Sequence, residues 1–218
     1  MDPNFWHQRW HDNQIGFHQD KPTPLLVKHW PAIGMPMGAK IFVPLAGKSL
    51  DMVWFASQGY RVLAVELSPV AVRQFISEHG VVPEVRESRY GTHYLAGAVE
   101  LVCGDVFSLD ADALADFSAV FDRAALIALP PELRQRYVSD VYSLLPQGCR
   151  GLLITLEYPQ HEKQGPPFSV TEAEVRELYS RDWSVEVLER RDILAQQPSF
   201  AEEGVTSLET VVYRLQRR

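Results

Sequence analysis

The amino-acid sequence predicts an α/β fold: a doubly wound, mostly parallel sheet of seven strands, the last antiparallel, preceded by an N-terminal cover segment. Three observations carry this. Five short runs between Lys40 and Leu156 are mainly apolar instead of alternating, the pattern of strands buried on both faces. Segments with helix-start and helix-stop signals lie between them, as crossovers between parallel strands require. Two further apolar runs near the C-terminus, joined by a long connection, suit an antiparallel edge.

Residues 1–38 come first and differ from the rest. They hold Trp6, Trp10 and Trp30 of the five tryptophans, four of the seven histidines, and Pro22, Pro24, Pro31 and Pro36. A helix is expected from Pro3 to about Asp12, with Phe5, Trp6 and Trp10 on one side. Past it, the Pro and Gly spacing breaks up regular structure. So many aromatic rings are costly to leave in water, so this segment should lie over something. Lys40 to Leu45 is the first strand and turns at Gly47. Ser49 is the candidate cap of a helix from about Leu50 to Ser57, which Gly59 ends. Arg61 to Glu66 is the second strand; Ser68 and Pro69 then open a helix of about ten residues that closes near Gly80. Ala98 to Cys103 is the third strand. Ala119 to Phe121 with its neighbours forms the fourth, ending at Asp122 and Arg123. A helix follows Pro130-Pro131 to about Leu145, and Gly151 to Leu156 is the fifth strand. Thr171 to Tyr179 reads as a helix whose Thr171 and Glu174 have capping-box spacing. Trp183 to Leu188 and Leu208 to Leu215 are the last two strands. No repeat, low-complexity tract or long linker divides the chain, so residues 1–218 should form one domain.

Composition excludes several classes. An apolar fraction of 46%, with ten Phe, eight Tyr and five Trp, argues against disorder. A net charge of -7 without a long Lys/Arg cluster argues against a nucleic-acid sheath. Two cysteines, both within apolar runs, are too few for a disulfide scaffold, which favours a reducing cytoplasm. The N-terminus lacks the basic and apolar regions of a secretion signal, and no apolar run is long enough to span a membrane.

In doubly wound sheets, ligands bind at the carboxyl ends of the strands, near the reversal of strand order. That directs attention to Leu45 to Ser49, Glu66 to Pro69, Gly104 to Phe107, Asp122 to Ala124 and Glu157 to Pro159. Gly47-Lys48-Ser49 matches only the end of a phosphate-cradling loop, since position 42 is Phe where a glycine is needed. The G-x-G-x-x-G fingerprint is absent. Glu66 ends the second strand 19 residues beyond Gly47, where an acid meets ribose hydroxyls in this architecture. A ribose-bearing cofactor without a diphosphate would need no glycine-rich loop. The alternative for Glu66 is a solvated carboxylate flanking a helix. Asp105 suits an adenine amino group or an Asx turn. Asp122-Arg123 suits a structural ion pair, or a bidentate grip by Arg123 on an anion or carboxylate. His7 and His11 lie four apart, but no spacing builds a zinc site, and the histidines read as aromatic-packed or surface residues. No G-x-S-x-G elbow and no Cys with an evident His partner supports a serine or cysteine nucleophile; Cys103 and Cys149 read as buried.

Three separated segments carry a resemblance: FWHQRWHDNQIGFHQDKPTPLL, KIFVPLAGKSLDMVWFASQGYRVLAVELSPVAV, and the pair LVCGDVF and FDRAALIALPPELRQRY. Together they closely resemble the bacterial-type thiopurine S-methyltransferases, over essentially the whole chain. The resemblance implies a Rossmann-like class I methyltransferase that uses S-adenosylmethionine, releases S-adenosylhomocysteine and needs no metal. It implies that Trp10 closes over the cofactor, that the Leu45 backbone contacts it, and that Glu66 binds its ribose. Arg123 resembles the family arginine among the cofactor contacts, placed where it also faces the acceptor. The stretch around Cys103 to Phe107, with Asp105, resembles the adenine side. Vertebrate relatives carry an extra basic residue in a late loop; here Asp192 to Ala201 offers Gln196 and Gln197.

The implied reaction is direct SN2 methyl transfer to an aromatic or heterocyclic thiol, with selenium and tellurium species as further acceptors in a detoxification role. No acid or base is essential for thiols that ionise near or below neutral pH, and Arg123 would favour the thiolate. The expected partner is a small-molecule thiol or selenium acceptor, with no nucleic acid or membrane, and the expected state is a cytoplasmic monomer. Competing readings are a methyltransferase for halide, thiocyanate, oxygen or nitrogen acceptors, a non-catalytic adenosyl-ligand sensor, and a nucleotide hydrolase.

Overall fold

The structure, a computed structural model, describes residues 3–218; Met1 and Asp2 of the expected cover lie outside the described residues. Its centre is one sheet built from β1 Lys40–Pro44, β2 Arg61–Glu66, β3 Glu84–Ser88, β4 Gly91–Ala96, β5 Val99–Cys103, β6 Ala119–Arg123, β7 Arg150–Glu157, β8 Trp183–Asp192 and β9 Glu209–Arg217. The spatial order is β3-β4-β5-β2-β1-β6-β7-β9-β8. Strands β5, β2, β1, β6 and β7 are parallel. Strand β9 runs antiparallel between β7 and β8. The chain moves outward from β1 to β2 and β5, then returns to β6 on the other side of β1, so strand order reverses between β1 and β6.

The described residues thus form nine strands, not the expected seven. The additional pair, β3 and β4, is a hairpin that joins the edge of β5 in antiparallel register. Strand β3 is exposed along its whole length and carries Glu84, Arg86 and Glu87, so no apolar run marks it in sequence. Pairing along the edge makes it a strand, and its charges discourage further strand addition. A hydrogen-bonded line, Ser88 Oγ to His93 Nε2 at 2.6 Å and His93 Nδ1 to Glu100 Oε1 at 2.6 Å, braces the hairpin against β5.

The helices are α1 Pro3–His11, α2 Pro24–His29, α3 Asp51–Ser57, α4 Pro69–His79, α5 Ala111–Leu114, α6 Pro131–Asp140, α7 Glu172–Tyr179 and α8 Pro198–Glu202. Their ends follow local chemistry. Ser68 caps α4 ahead of Pro69, and Gly80 closes it in the left-handed conformation at φ +59°. Thr171 Oγ1 accepts the Glu174 N–H at 3.2 Å, but the Glu174 side chain pairs with Arg134 instead of reaching back. Helix α2 was not expected in the Pro-rich segment. Pro24 stands in its first turn, where the missing N–H has no helical partner to lose. Helix α6 ends at Asp140, short of Leu145, and a 3₁₀ turn over Tyr142–Leu144 finishes the segment.

Two apolar clusters cover the two faces of the sheet. One gathers Phe42, Val65, Val120 and Leu153 with the mutually edge-on rings of Tyr137, Tyr142, Tyr179 and Trp183. The other gathers Ile41, Val43, Ala64, Phe121 and Ile154 with Trp30 and Phe55. The alternation Val120, Phe121 assigns successive β6 residues to opposite faces. That parity decides where Asp122 and Arg123 point.

Candidate active site

A cavity of about 920 Å³ opens at the carboxyl ends of β1, β2, β5 and β6 and runs under α1 and the segment that follows it. Its size is at the upper end for a small-molecule site, enough for two ligands side by side. Two non-glycine residues with positive φ stand at its rim: Leu45 at +47°, just past β1, and Ala124 at +63°, just past β6. Each such conformation costs about 1–2 kcal/mol, and both turn the chain sharply at the strand ends where a ligand would sit.

The turn at Leu45 brings the Ala46 N–H onto Val65 O and the Gly47 N–H onto Glu66 Oε2 at 2.8 Å. The Ser68 N–H reaches Glu66 Oε1 at 2.7 Å. Glu66 is therefore not a solvated carboxylate. It is 6% exposed, lines the cavity, and is held by backbone N–H donors of Gly47 and Ser68. Burial pushes its carboxyl above the usual carboxylate range, and the backbone donors at Ser68 and Gly47 pull the other way.

Trp10, 3% exposed, lies across Gly47: a Cβ added there would meet Trp10 Cζ2 at 3.1 Å. Phe17 meets Trp10 edge-on, with centroids 5.6 Å apart. The cover segment is pinned where Asp51, itself buried, accepts the Thr23 N–H at 2.7 Å, the Thr23 hydroxyl at 2.9 Å and the Ser49 hydroxyl at 3.0 Å. Ser49 also accepts the Asp51 N–H at 3.1 Å, a local turn contact in place of the expected cap: α3 starts at Asp51, the residue before it is Leu50, and no side chain caps the helix.

Arg123 does not pair with Asp122. Consecutive residues of a strand face opposite ways, so Asp122 enters the tyrosine cluster, where Oδ2 accepts from Tyr137 at 2.8 Å and Tyr142 at 3.0 Å and Oδ1 from the Leu126 N–H at 3.1 Å. Burial pushes the Asp122 carboxyl up, and these donors oppose it. Arg123 points to the other face and lines the cavity. Among the described residues its guanidinium has no hydrogen bond and no ion pair; burial weakens its hold on the proton and the nearby Asp51 charge restores part of it.

Asp105 also lines the cavity, but it is exposed and its Oδ1 accepts the Phe107 N–H at 3.0 Å, the Asx turn. Cys103, expected to be buried, is half-buried, because it ends β5 beside Glu66; burial and that carboxylate push its thiol up. Cys149 is buried, and its thiol is pushed up to about 12. All five residues expected at the site, Trp10, Leu45, Glu66, Asp105 and Arg123, line one cavity.

Sequence reasoning missed His18, Asp51 and Arg191, which line it too, as does Lys48 from the Leu45 to Ser49 stretch already singled out. Lys48 is buried and reaches Glu78 at 2.5 Å. His18 was read with the other histidines as a packed or surface ring, although a histidine beside Phe17 in a segment expected to cover something was the available signal.

The model of the family described as thiopurine S-methyltransferase matches residues 1–218. The chain belongs to the thiopurine S-methyltransferase family. Among its family relatives, the thiopurine S-methyltransferase of Nitrosomonas eutropha is 61% identical over 217 residues, covering 100% of this chain and 99% of that protein. That of Xanthomonas campestris is 59% identical over 217 residues, covering 100% of both. Solved structures outside the family share the fold at low identity. One is a Burkholderia thailandensis 1,6-didemethyltoxoflavin-N1-methyltransferase with bound S-adenosylhomocysteine: TM-score 0.66, 18% identity, covering 99% of this chain and 86% of that one. Another is an arsenic(III) S-adenosylmethionine methyltransferase from Chlamydomonas reinhardtii: TM-score 0.59, 17% identity, covering 84% of this chain and 66% of that one. This chain shares the α/β methyltransferase fold of these neighbours, with a mixed sheet of nine strands among the described residues.

Proposed function

We propose that this protein transfers a methyl group from S-adenosylmethionine to the sulfur of an aromatic or heterocyclic thiol such as a thiopurine, with reduced selenium or tellurium species as further acceptors. The observation that carries the acceptor class is Arg123, a guanidinium that lines the cavity and, among the described residues, makes no hydrogen bond or ion pair, Asp51 being the nearby opposite charge. A desolvated, unpaired cation is costly unless an anion completes it, and a thiolate or an anionic heterocycle is such an anion. When bound, S-adenosylmethionine supplies an electrophilic sulfonium methyl.

The residues present fit that cofactor. Glu66 offers lone pairs to vicinal ribose hydroxyls, the strained turn at Leu45 exposes backbone to the ligand, and Trp10 roofs this end of the cavity. Asp105 stands at the β5 end, where an adenine amino group would lie. Arg123 and Phe17 border the remaining space, where the acceptor sulfur can be held dry and in line. The test is calorimetric titration with S-adenosylmethionine, followed by methyl transfer to a panel of aryl thiols and reduced selenium species. Tight cofactor binding with turnover of anionic thiols is expected. Binding without turnover of any thiol would make the protein a sensor and overturn the proposal.

A further inference from the structure

His18 lines the same cavity as Arg123, between the aromatic ring of Phe17 and the turn leading to Thr23. Its backbone N–H donates to Ile15 O at 2.8 Å, which fixes the turn. Its ring makes no hydrogen bond among the described residues, so both nitrogens are available to a ligand. The charged groups around it are Lys48 on the loop after β1, Glu78 on α4, Arg123 at the end of β6, and Asp20 two residues on. Burial, Lys48 and Arg123 hold the imidazole below its ordinary value; Glu78 and Asp20 act in the opposite direction. These surroundings favour the neutral imidazole, whose unprotonated nitrogen carries a lone pair.

The other candidate bases in the cavity are committed elsewhere. Asp51 accepts from Thr23 and Ser49, and Glu66 from two backbone N–H groups. Asp105 is exposed and closed into its own turn, and Glu78, which does not line the cavity, pairs with Lys48. Arg123 supplies positive charge for a developing thiolate but, as a guanidinium, accepts no proton at neutral pH.

We infer that His18 is the general base for acceptors that reach the site as neutral thiols, which extends the substrate class beyond thiols already ionised in solution. The inference rests on the methyl-transfer reading above. As sulfur attacks the methyl carbon, the S–H proton passes to the free nitrogen of His18. The new S–C bond forms, the bond from that carbon to the sulfonium sulfur breaks, and its electron pair stays on S-adenosylhomocysteine. Arg123 faces the sulfur during this charge change, and the imidazolium loses its proton to water after product leaves.

The experiment compares the unmodified protein with His18→Gln on two thiols. One is a nitro-substituted aryl thiol ionised below neutrality; the other is a thiol of cysteine-like pKa, about 8.5 and so only about 3% thiolate at pH 7. Calorimetry with S-adenosylmethionine and thermal melting establish that the variant is folded. For the protonated thiol, kcat/KM of the variant should fall at least about tenfold at pH 7, within the roughly 30-fold set by its thiolate fraction. Its log rate should then rise with unit slope up to the thiol's own pKa, where the unmodified protein shows a plateau. For the ionised thiol the loss should stay under about threefold. Equal losses on both thiols, or none on either, overturn the inference. A second measurement needs no variant: the His18 titration followed by nuclear magnetic resonance should coincide with the acid limb of the unmodified protein's profile for the protonated thiol. An acid limb elsewhere, or none, overturns it. Turnover of the ionised thiol by the unmodified protein separately tests the methyl-transfer reading, so failure of one is distinct from failure of the other.

Discussion

Gly47→Ala tests whether the cover and the cofactor end of the cavity act as one unit. Gly47 has φ +57°, so a side chain there costs about 1–2 kcal/mol of left-handed strain. For a domain of this size that is a fall of roughly 2–8 °C in melting temperature. The added Cβ would also stand 3.1 Å from Trp10 Cζ2, so the indole must lift by a few tenths of an ångström. That shift acts on the turn whose Gly47 N–H holds Glu66, and overpacking of this kind costs about 1–3 kcal/mol. S-adenosylmethionine affinity should therefore fall about fivefold or more. Gly80→Ala is the matched control: its φ is +59°, it closes α4, and an added Cβ meets nothing within 4 Å. The control should lose melting temperature and keep its affinity. Calorimetry and melting curves on both variants decide the matter. Equal affinity in the two variants, both matching the unmodified protein, would refute the coupling of Trp10 to the cofactor end.

Glu66→Gln replaces the charged acceptor proposed for the ribose hydroxyls with a neutral amide, losing a charge-assisted bond of about 1.5–3 kcal/mol to the ligand, so calorimetry should show at least about tenfold weaker S-adenosylmethionine binding. Arg123→Lys keeps the charge but loses the planar fork, and kcat/KM toward an ionised aryl thiol should fall about tenfold; unchanged kinetics would remove Arg123 from acceptor handling. Asp122→Asn tests the buried carboxylate through pH. Because the folded carboxyl titrates above its unfolded value, the native state holds the extra proton between the two, and stability from this group declines as pH rises through that window. The melting advantage of the unmodified protein over Asp122→Asn should therefore shrink from about pH 4 upward, and an advantage that grows with pH would contradict the assignment.

The parallel core was legible because strands β1, β2, β5, β6 and β7 are mostly apolar runs with charges largely at their ends, and because Ser68, Pro69, Gly80 and Thr171 punctuate helices by short-range chemistry. The β3–β4 hairpin was not, since its residues are polar and its strand character comes from the edge of β5. Helix α2 was hidden for a related reason: Pro24 reads as a breaker until its place in the first turn is known. At the site, Glu66 was legible from its position at a strand end. The pairing offered for Asp122 and Arg123 ignored strand parity, which sends the two side chains to opposite faces. His18 and Asp51 were missed because their roles depend on where the cover lies, and that is a tertiary fact.

Strand β1 and the cover are joined by a consequence for ligand occupancy. One short stretch of chain carries Trp10, which rests on Gly47 at the Glu66 end, and Phe17 and His18, which border the space near Arg123; Asp51 fastens that stretch through Thr23. A ligand that holds Trp10 down also restrains Phe17 and His18, so it lowers the ordering entropy left for the second ligand. With the methyl donor at one end and the acceptor at the other, as proposed above, occupancy of the two ends would be linked, and linkage is reciprocal: the factor by which the donor tightens the acceptor is the factor by which the acceptor tightens the donor.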